Sequence, residues 1–420
     1  MVSNPDKILL VLFFFSCFGN VYSKPRVFSV MNFGAKGDGK TDDAKALLAA
    51  WTQACGTTTK SKVLIPKGVF LARGAVIFKG PCESQIEFQL DGTVIAPPDM
   101  AGMEDWIAFR YINGLKVSGT GAFDGKGTTA WSQNQCSNKE VGGKCRFPVS
   151  LRFNFVKDAT ITGISSINSK YFHIHLLGCN NIKFQNVKLT APRTSANTDG
   201  IHIADSTGVE ISGSTIGTGD DCISMGPGAA NINITGVTCG PGHGISVGSL
   251  GKKNAKEEQS VTGVVVKNCT FIGTDNGVRV KTWPSGTAGK AFNFTFDDII
   301  MYNVKNPIVI DQEYCPYNSC DKRSPSLVKI SQVKFNNIRG SSATKDAVTL
   351  KCSEGIPCEG VKLSDINLKY HGADGGATSI CTNAKAALAT NVFPPTCTNH
   401  LHSFVYRRSW KGFMSSAEDP

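Results

Sequence analysis

Short runs of alternating apolar and polar residues return along this chain at a nearly constant interval. Leu115-Lys116-Val117, Ala159-Thr160-Ile161, Ile182-Lys183-Phe184, Val209-Glu210-Ile211, Ile232-Asn233-Ile234, Val264-Val265-Val266, Val328-Lys329-Ile330 and Val361-Lys362-Leu363 share one pattern. From Ile161 to Phe184, Ile211 and Ile234 the steps are 23, 27 and 23 residues. Repeats of this length, built from short strands and turns with no long helix between them, predict a β-solenoid. In such a fold each coil buries its inward side chains only by stacking on its neighbours. The absence of helices between strands argues against a βαβ barrel or a doubly wound sheet; a large β-sandwich is the remaining alternative on pattern alone.

The pattern is clear from about residue 85. Before it, Val27-Phe28-Ser29-Val30 reads as a short strand, and about Asp42 to Cys55 reads as a helix with Leu47, Leu48, Trp51 and Cys55 on one face. Thr41 is the expected N-cap, with Asp42 and Asp43 at the positive end of the helix dipole. This helix is placed to cover the open N-terminal end of the solenoid. Two polar stretches, Thr128 to Cys145 and Gly251 to Ser260, read as loops.

Lys7 followed by Ile8 to Phe15, then Val21-Tyr22-Ser23, has the layout of a secretory signal peptide cleaved after Ser23. The expected organisation is a signal peptide over 1–23, one domain over 24–400 and a tail of no assigned role over 401–420. Of the 15 cysteines, 14 follow the signal segment, an even number that suits disulfides in an oxidising compartment. Cys136/Cys145, Cys315/Cys320, Cys352/Cys358 and Cys381/Cys397 are close pairs, and Cys222/Cys239 and Cys55/Cys82 are plausible ones. Cys179 and Cys269 either pair or stay as buried thiols. No Cys/His spacing suits a structural zinc. Three sequons, at Asn233, Asn268 and Asn293, fit the same compartment.

The net charge is +11. A basic surface suits a polyanion, and for a secreted chain an acidic polysaccharide fits better than nucleic acid.

Four segments carry the chemistry: Asn197-Thr198-Asp199-Gly200, Gly219-Asp220-Asp221, Gly242-His243-Gly244 and Arg279-Val280-Lys281. Asp199 to Asp220 is 21 residues and Asp221 to His243 is 22. Each step is close to one coil, so these residues are expected on adjacent rungs, about 4.8 Å apart. Asn, Asp and Gly also dominate ordinary turns, but four such motifs in order at coil spacing exceed what turns require. Crowded carboxylates repel and raise at least one pKa, leaving one protonated and another ionised. Glycoside hydrolysis needs that division, an acid for the leaving oxygen and a base for the opposite face.

In this order the four motifs resemble the signature of the polygalacturonases, glycoside hydrolase family 28. The likeness runs from about Phe28 to Cys397, and Asn32-Phe33-Gly34-Ala35-Lys36-Gly37-Asp38-Gly39 resembles the start of plant members. The resemblance implies a right-handed parallel β-helix and an inverting hydrolase of polygalacturonate without cofactor or metal. It makes Asp220 the general acid, Asp199 and Asp221 the residues that activate water, and His243 a support for the acid. It makes Asn197, Arg279, Lys281 and Tyr314 substrate-binding residues, with the two cations on the galacturonate carboxylate. The wording is most similar to pollen-type exo-acting enzymes, with endo action the alternative. A secreted, cell-wall monomer acting on pectin, with no nucleic-acid or membrane partner, is the resulting expectation. Ala196 stands where proline is common and Val280 where isoleucine is frequent.

Three other readings remain open to test. Gly34 to Thr41 matches the P-loop pattern, but Asp38, Asp42 and Asp43 would place negative charge where phosphates must sit. A calcium-dependent pectate lyase shares the fold class, and would be chelator-sensitive and give unsaturated products. A wall-binding protein without turnover would release no reducing ends.

Overall fold

Alternation along a strand sends every second side chain to the opposite face, and here one face of every coil is inward. A computed structural model of the protein describes residues 24–132, 147–253, 255, 258–316, 320–321, 323–384 and 388–396. In Asn180–Gln185, Ile182 and Phe184 are buried; Thr207–Ser212 and Ala230–Thr235 repeat this with Val209/Ile211 and Ile232/Ile234. The inward residues are in parallel register, Ile182 on Val209, Ile232, Val264, Phe294 and Val333 in succession. Their stacking makes one continuous apolar column, each fully buried side chain contributing roughly 1.5–3 kcal/mol.

The coils form a right-handed parallel β-helix. One ladder holds 11 strands, running in spatial order from Val76–Lys79 through Asp105–Arg110, Val149–Asn154, Ile174–Leu177, Ile201–Ala204, Ile223–Met225, Ile245–Leu250, Asn276–Thr282, Asn306–Asp311 and Asp346–Lys351 to Thr378–Thr382. We call this the site ladder. The other faces carry two further parallel ladders. They fuse in the later coils, where Gln259–Ile272, Gly289–Val304 and Val328–Ser342 are continuous strands that bend through both. Asparagine and aspartate hold many of the left-handed corner positions, as their short polar side chains allow. Asn268, Asp298, Asn337 and Asp365 do so on consecutive coils.

The regular coils begin earlier than residue 85: Ser61–Ile65, Val69–Leu71 and Val76–Lys79 already pair in register with later strands. Their signal is masked because Pro66, Gly68 and Gly74 break the runs within one turn. The N-terminal helix spans Ala44–Cys55, starting two residues later than expected. Thr41 is not its cap but part of the strand Asp38–Asp42, while Asp42 Oδ1 accepts from the N–H of Ala44 at 3.2 Å. The Asp43 side chain instead accepts from the N–H groups of Lys36 and Gly37, at 2.7 and 3.2 Å. Asp38 takes those of Lys40 and Thr41. Carboxylates thus occupy the amides a P-loop needs for phosphate, and the nucleotide reading fails on geometry. Trp51 of the helix packs on Phe78 and Phe109, at 5.1 and 5.7 Å between ring centroids, sealing the column end.

Thr128–Trp131, expected as loop, is a single helical turn whose Trp131 Nε1 donates to Ser169 O at 2.8 Å. Disulfides join Cys55–Cys82, Cys222–Cys239, Cys315–Cys320 and Cys352–Cys358. Cys381 is disulfide-bonded as well. Cys179 and Cys269 stay as buried free thiols. The proposed signal peptide, the tail, and Cys136, Cys145 and Cys397 lie outside the described residues. Among the described residues no helix is long and apolar enough to cross a membrane.

Candidate active site

The register of the site ladder places the four motifs. Ile201, Ile223, Ile245 and Val278 stack in turn, so Asp199, Asp221, His243 and Asn276, each two residues earlier, stand at equivalent positions on consecutive coils. Gly200 N donates to Asp221 O at 2.9 Å and His243 N to Asp220 O at 2.8 Å, one coil per step. The sequence spacings of 21 and 22 residues are therefore single turns of the helix.

Glycines make this stacking close. A Cβ on Gly219 would lie 2.0 Å from Ser195 O, and Gly244, at φ 86°, would bring one within 2.2 Å of Asn276 O. Gly219 N donates to Thr198 Oγ1 at 3.0 Å, tying the coil of Asp199 to that of Asp220. On the inner side Cys222, next to Asp221, is fully buried and bonded to Cys239.

Asp199 and Asp221 are buried, at 6% and 1% exposure, while the Asp220 side chain keeps 21%. Asp221 Oδ1 accepts from Arg279 at 2.9 Å and from Ser246 Oγ at 2.8 Å, and its Oδ2 accepts from Lys281 Nζ at 2.8 Å. Asp199 Oδ2 accepts from Ser224 Oγ at 2.7 Å. Asp220 Oδ1 accepts from the Asp221 N–H at 2.7 Å and meets His243 Nδ1 at 3.0 Å. Asn197 Nδ2 reaches Asp220 Oδ2 at 3.5 Å. Tyr314 lies 5.2 Å from Lys281 Nζ and 5.9 Å from the Arg279 guanidinium carbon, measured to its ring centroid. All eight residues singled out from sequence thus converge on one face.

The carboxyls are unequal. Burial, then the charges of Asp220 and Asp221, push Asp199 well above the carboxylate range. Burial acts the same way on Asp221, but Lys281 and Arg279 outweigh it and hold that group at about 2. Burial works against a charged His243, yet the hydrogen bond and charge of Asp220 raise its pKa above the ordinary value.

Several neighbours were not flagged by motif. Three residues after the first three stacked positions stand His202, Ser224 and Ser246, in register with one another and with the motif residue Arg279 on the same outward row. His202 Nδ1 meets Ser224 Oγ at 2.7 Å. His202 stacks on Phe172 at 4.8 Å and faces His175 at 5.1 Å. Burial lowers these two histidines to about 4 and about 2, which keeps them neutral near neutral pH. Asp275 meets His243 Nε2 at 3.5 Å and pairs with Arg193 and Lys305. The available signal was the recurrent three-residue offset, visible only once the coils are aligned.

Asp220, Asp221 and His243 place ligand atoms within 4.8 Å of one another, a spacing that a metal ion could use. Both oxygens of Asp221 are already engaged by Arg279, Ser246 and Lys281. The two cations stand where a metal's charge would, so the donor set suits an ion pair better than a metal centre.

A stacked set of acids beside paired cations, on the outer face of a parallel β-helix, has the make-up for acid–base chemistry on an anionic substrate. The chain belongs to the glycosyl hydrolases family 28, whose model matches residues 55–390. It is 50% identical over 378 residues to an exopolygalacturonase of Platanus acerifolia, covering 89% of this chain and 98% of that protein. Identity is 48% over 360 residues to an exopolygalacturonase of Oenothera organensis, covering 85% and 98%. Among solved structures, an endo-xylogalacturonan hydrolase from Aspergillus tubingensis aligns over 87% of this chain and 99% of its own, with TM-score 0.74 and 24% identity. A hyperthermoactive exopolygalacturonase from Thermotoga maritima aligns over 87% and 92%, with TM-score 0.69 and 19% identity.

Proposed function

We propose that the protein is a secreted, exo-acting polygalacturonase that hydrolyses the α-1,4 linkages of polygalacturonate by an inverting acid–base mechanism. The observation that carries this reading is the stack of Asp199, Asp220 and Asp221 beside Arg279 and Lys281. It combines two unlike carboxyl environments with cations matched to a sugar carboxylate.

Asp220, the least buried of the three acids, protonates the leaving glycosidic oxygen. Asp199 and Asp221 activate the attacking water, Asp221 by holding it and Asp199 by taking its proton. Asp221 stays ionised because of its cations. When substrate is bound, Asp220 carries the proton that the leaving oxygen needs. His243 orients Asp220 through Nδ1. Arg279 and Lys281 keep unused N–H donors after binding Asp221, and these take the galacturonate carboxylate, with Tyr314 and Asn197 beside the sugar. Exo action is supported by the names of the relatives at about half identity. Secretion is supported by the signal-like N-terminus and the disulfides. The sequon residues Asn233, Asn268 and Asn293 are exposed and suit glycosylation. The protein acts as a monomer in the cell wall.

The test is the product profile from de-esterified polygalacturonate with chelator present, for wild type and Asp220→Asn. Saturated galacturonic acid monomer from wild type, with almost none from the variant, is the expected result. Mixed saturated oligomers would transfer the reading to endo action. Unsaturated products that vanish with chelator would replace it with a lyase.

A further inference from the structure

Two serines occupy the same register on neighbouring coils, Ser224 beside Ser246. Each is buried, and each donates its single hydroxyl proton to an aspartate one coil back: Ser224 to Asp199 at 2.7 Å, Ser246 to Asp221 at 2.8 Å. They differ in what stands behind the oxygen. Behind Ser246 is Arg279, whose Nε donates to it at 3.1 Å. A guanidinium offers no acceptor, so the Ser246 proton has only Asp221 to turn to. Behind Ser224 is His202 Nδ1 at 2.7 Å. A neutral imidazole nitrogen donates or accepts according to its tautomer, so the Ser224 proton has two possible directions.

We propose that His202 and Ser224 form a reversible proton relay that lets Asp199 change its protonation state, while Arg279 and Ser246 lock Asp221 as a carboxylate. The inference rests on the reading of Asp199 as a base for water; His202 and Ser224 are positioning residues that act through it. In one arrangement Asp199 is ionised, Ser224 donates to it, and His202 carries its proton on Nδ1. In the other Asp199 is protonated and donates to Ser224 Oγ, Ser224 donates to Nδ1, and His202 is protonated on Nε2. Passing from the second to the first moves the Asp199 proton to Ser224, the Ser224 proton to Nδ1 and the Nε2 proton to solvent. One proton leaves and every hydrogen bond is remade. The relay would clear from Asp199 the proton it has taken from water, which an inverting cycle must do before each new turnover.

The surroundings keep both ends titratable. Asp199 faces the like charges of Asp220 and Asp221, the ammonium of Lys281 and the phenol of Tyr171. His202 faces Phe172 and His175, with Arg152 in register beyond His175, and it feels Asp220, Asp221 and Lys281. Burial and the cations hold the imidazole neutral, as the tautomer exchange requires.

The experiment compares pH profiles of kcat and kcat/KM on de-esterified polygalacturonate for wild type, Ser224→Ala and Ser246→Ala. Selective 15N-histidine NMR on the same proteins reads the His202 tautomer. Loss of the Ser224 donor should move the acid limb up by about one to two pH units, the worth of a hydrogen bond to a charged group. Below that limb kcat should fall tenfold or more, with KM little changed. Ser246→Ala should leave the acid limb in place, since Lys281 and Arg279 still hold Asp221. In wild type the His202 proton should pass from Nε2 to Nδ1 as pH rises through the limb. An unshifted limb in a Ser224→Ala protein of native melting temperature would overturn the relay, as would a His202 tautomer that does not change. Were Ser224→Ala not to fold, the wild-type tautomer titration decides alone. A wild type that releases no galacturonic acid would defeat the proposed activity, and the tautomer titration would still judge the relay.

Discussion

Lys281 Nζ donates to Asp221 Oδ2 at 2.8 Å with both groups almost wholly out of water, at 7% and 1% exposure. Breaking a buried pair leaves an uncompensated charge. The depressed Asp221 pKa, about 2 against the ordinary 3.8, contributes stability that is complete above the ordinary value. That contribution is lost as pH falls through the folded-state value. Lys281→Met should therefore cost about 1–2 kcal/mol at pH 7, where Arg279 still covers part of the charge. The deficit should shrink as pH falls from about 4 toward 2. Urea unfolding at pH 7 and at pH 2.5 checks this; an equal deficit at both would show that the loss is packing and not charge.

His243 behaves with the opposite sign. Its pKa is raised because Asp220 outweighs burial. The stability it lends is complete below the ordinary histidine value and disappears as pH rises through the folded one. The alkaline limb of kcat/KM should lie above 6.5, the unperturbed value. His243→Gln should remove that limb and lower kcat at least tenfold. A limb that persists in the variant would assign it to another group.

Gly219 is the tightest point of the mount. A methyl group there meets Ser195 O at 2.0 Å, and the coil must shift. Gly219→Ala should displace Asp220 and lower kcat by about 100-fold, since misplacing a reacting group by an ångström is that costly. The melting temperature should fall by only a few degrees. Full activity would mean that the backbone relaxes without moving the acid.

The Cys222–Cys239 disulfide closes a span of 17 residues directly beneath Asp221. Replacing both by serine should cost about 3 kcal/mol, measured by denaturant unfolding. Asp220 and Asp221 are carried on the same segment, so kcat should fall before the protein unfolds. A large stability loss with intact kcat would separate the bond from the site.

The coil architecture was legible because strand periodicity and coil length both survive in the sequence, as in Ile182/Phe184 above Val209/Ile211. The four motifs were legible because each coil repeats one offset, so 21 or 22 residues meant one rung. The first coils were hidden by Pro66, Gly68 and Gly74, which read as loop although the backbone between them still pairs. The helix start was misplaced because Thr41 has the composition of a cap and Asp42 that of a first turn, while tertiary pairing with Val69–Leu71 draws them into a strand. Ser224 and His202 carry no motif of their own, and only the parallel register brings them behind Asp199. Asp275 likewise becomes a neighbour of His243 only across a coil boundary.

The long strands Gln259–Ile272, Gly289–Val304 and Val328–Ser342 lie on the coils immediately after His243. A solenoid loses order from its ends, coil by coil, since each turn is braced only by its neighbours. These three are the hardest turns to peel, because each is stitched along two faces at once. They should act as a backstop, with unwinding that starts at the C-terminal side stalling there before it reaches the acids. Partial digestion from that side should yield a shortened but working enzyme, and wear at the periphery need not silence the centre.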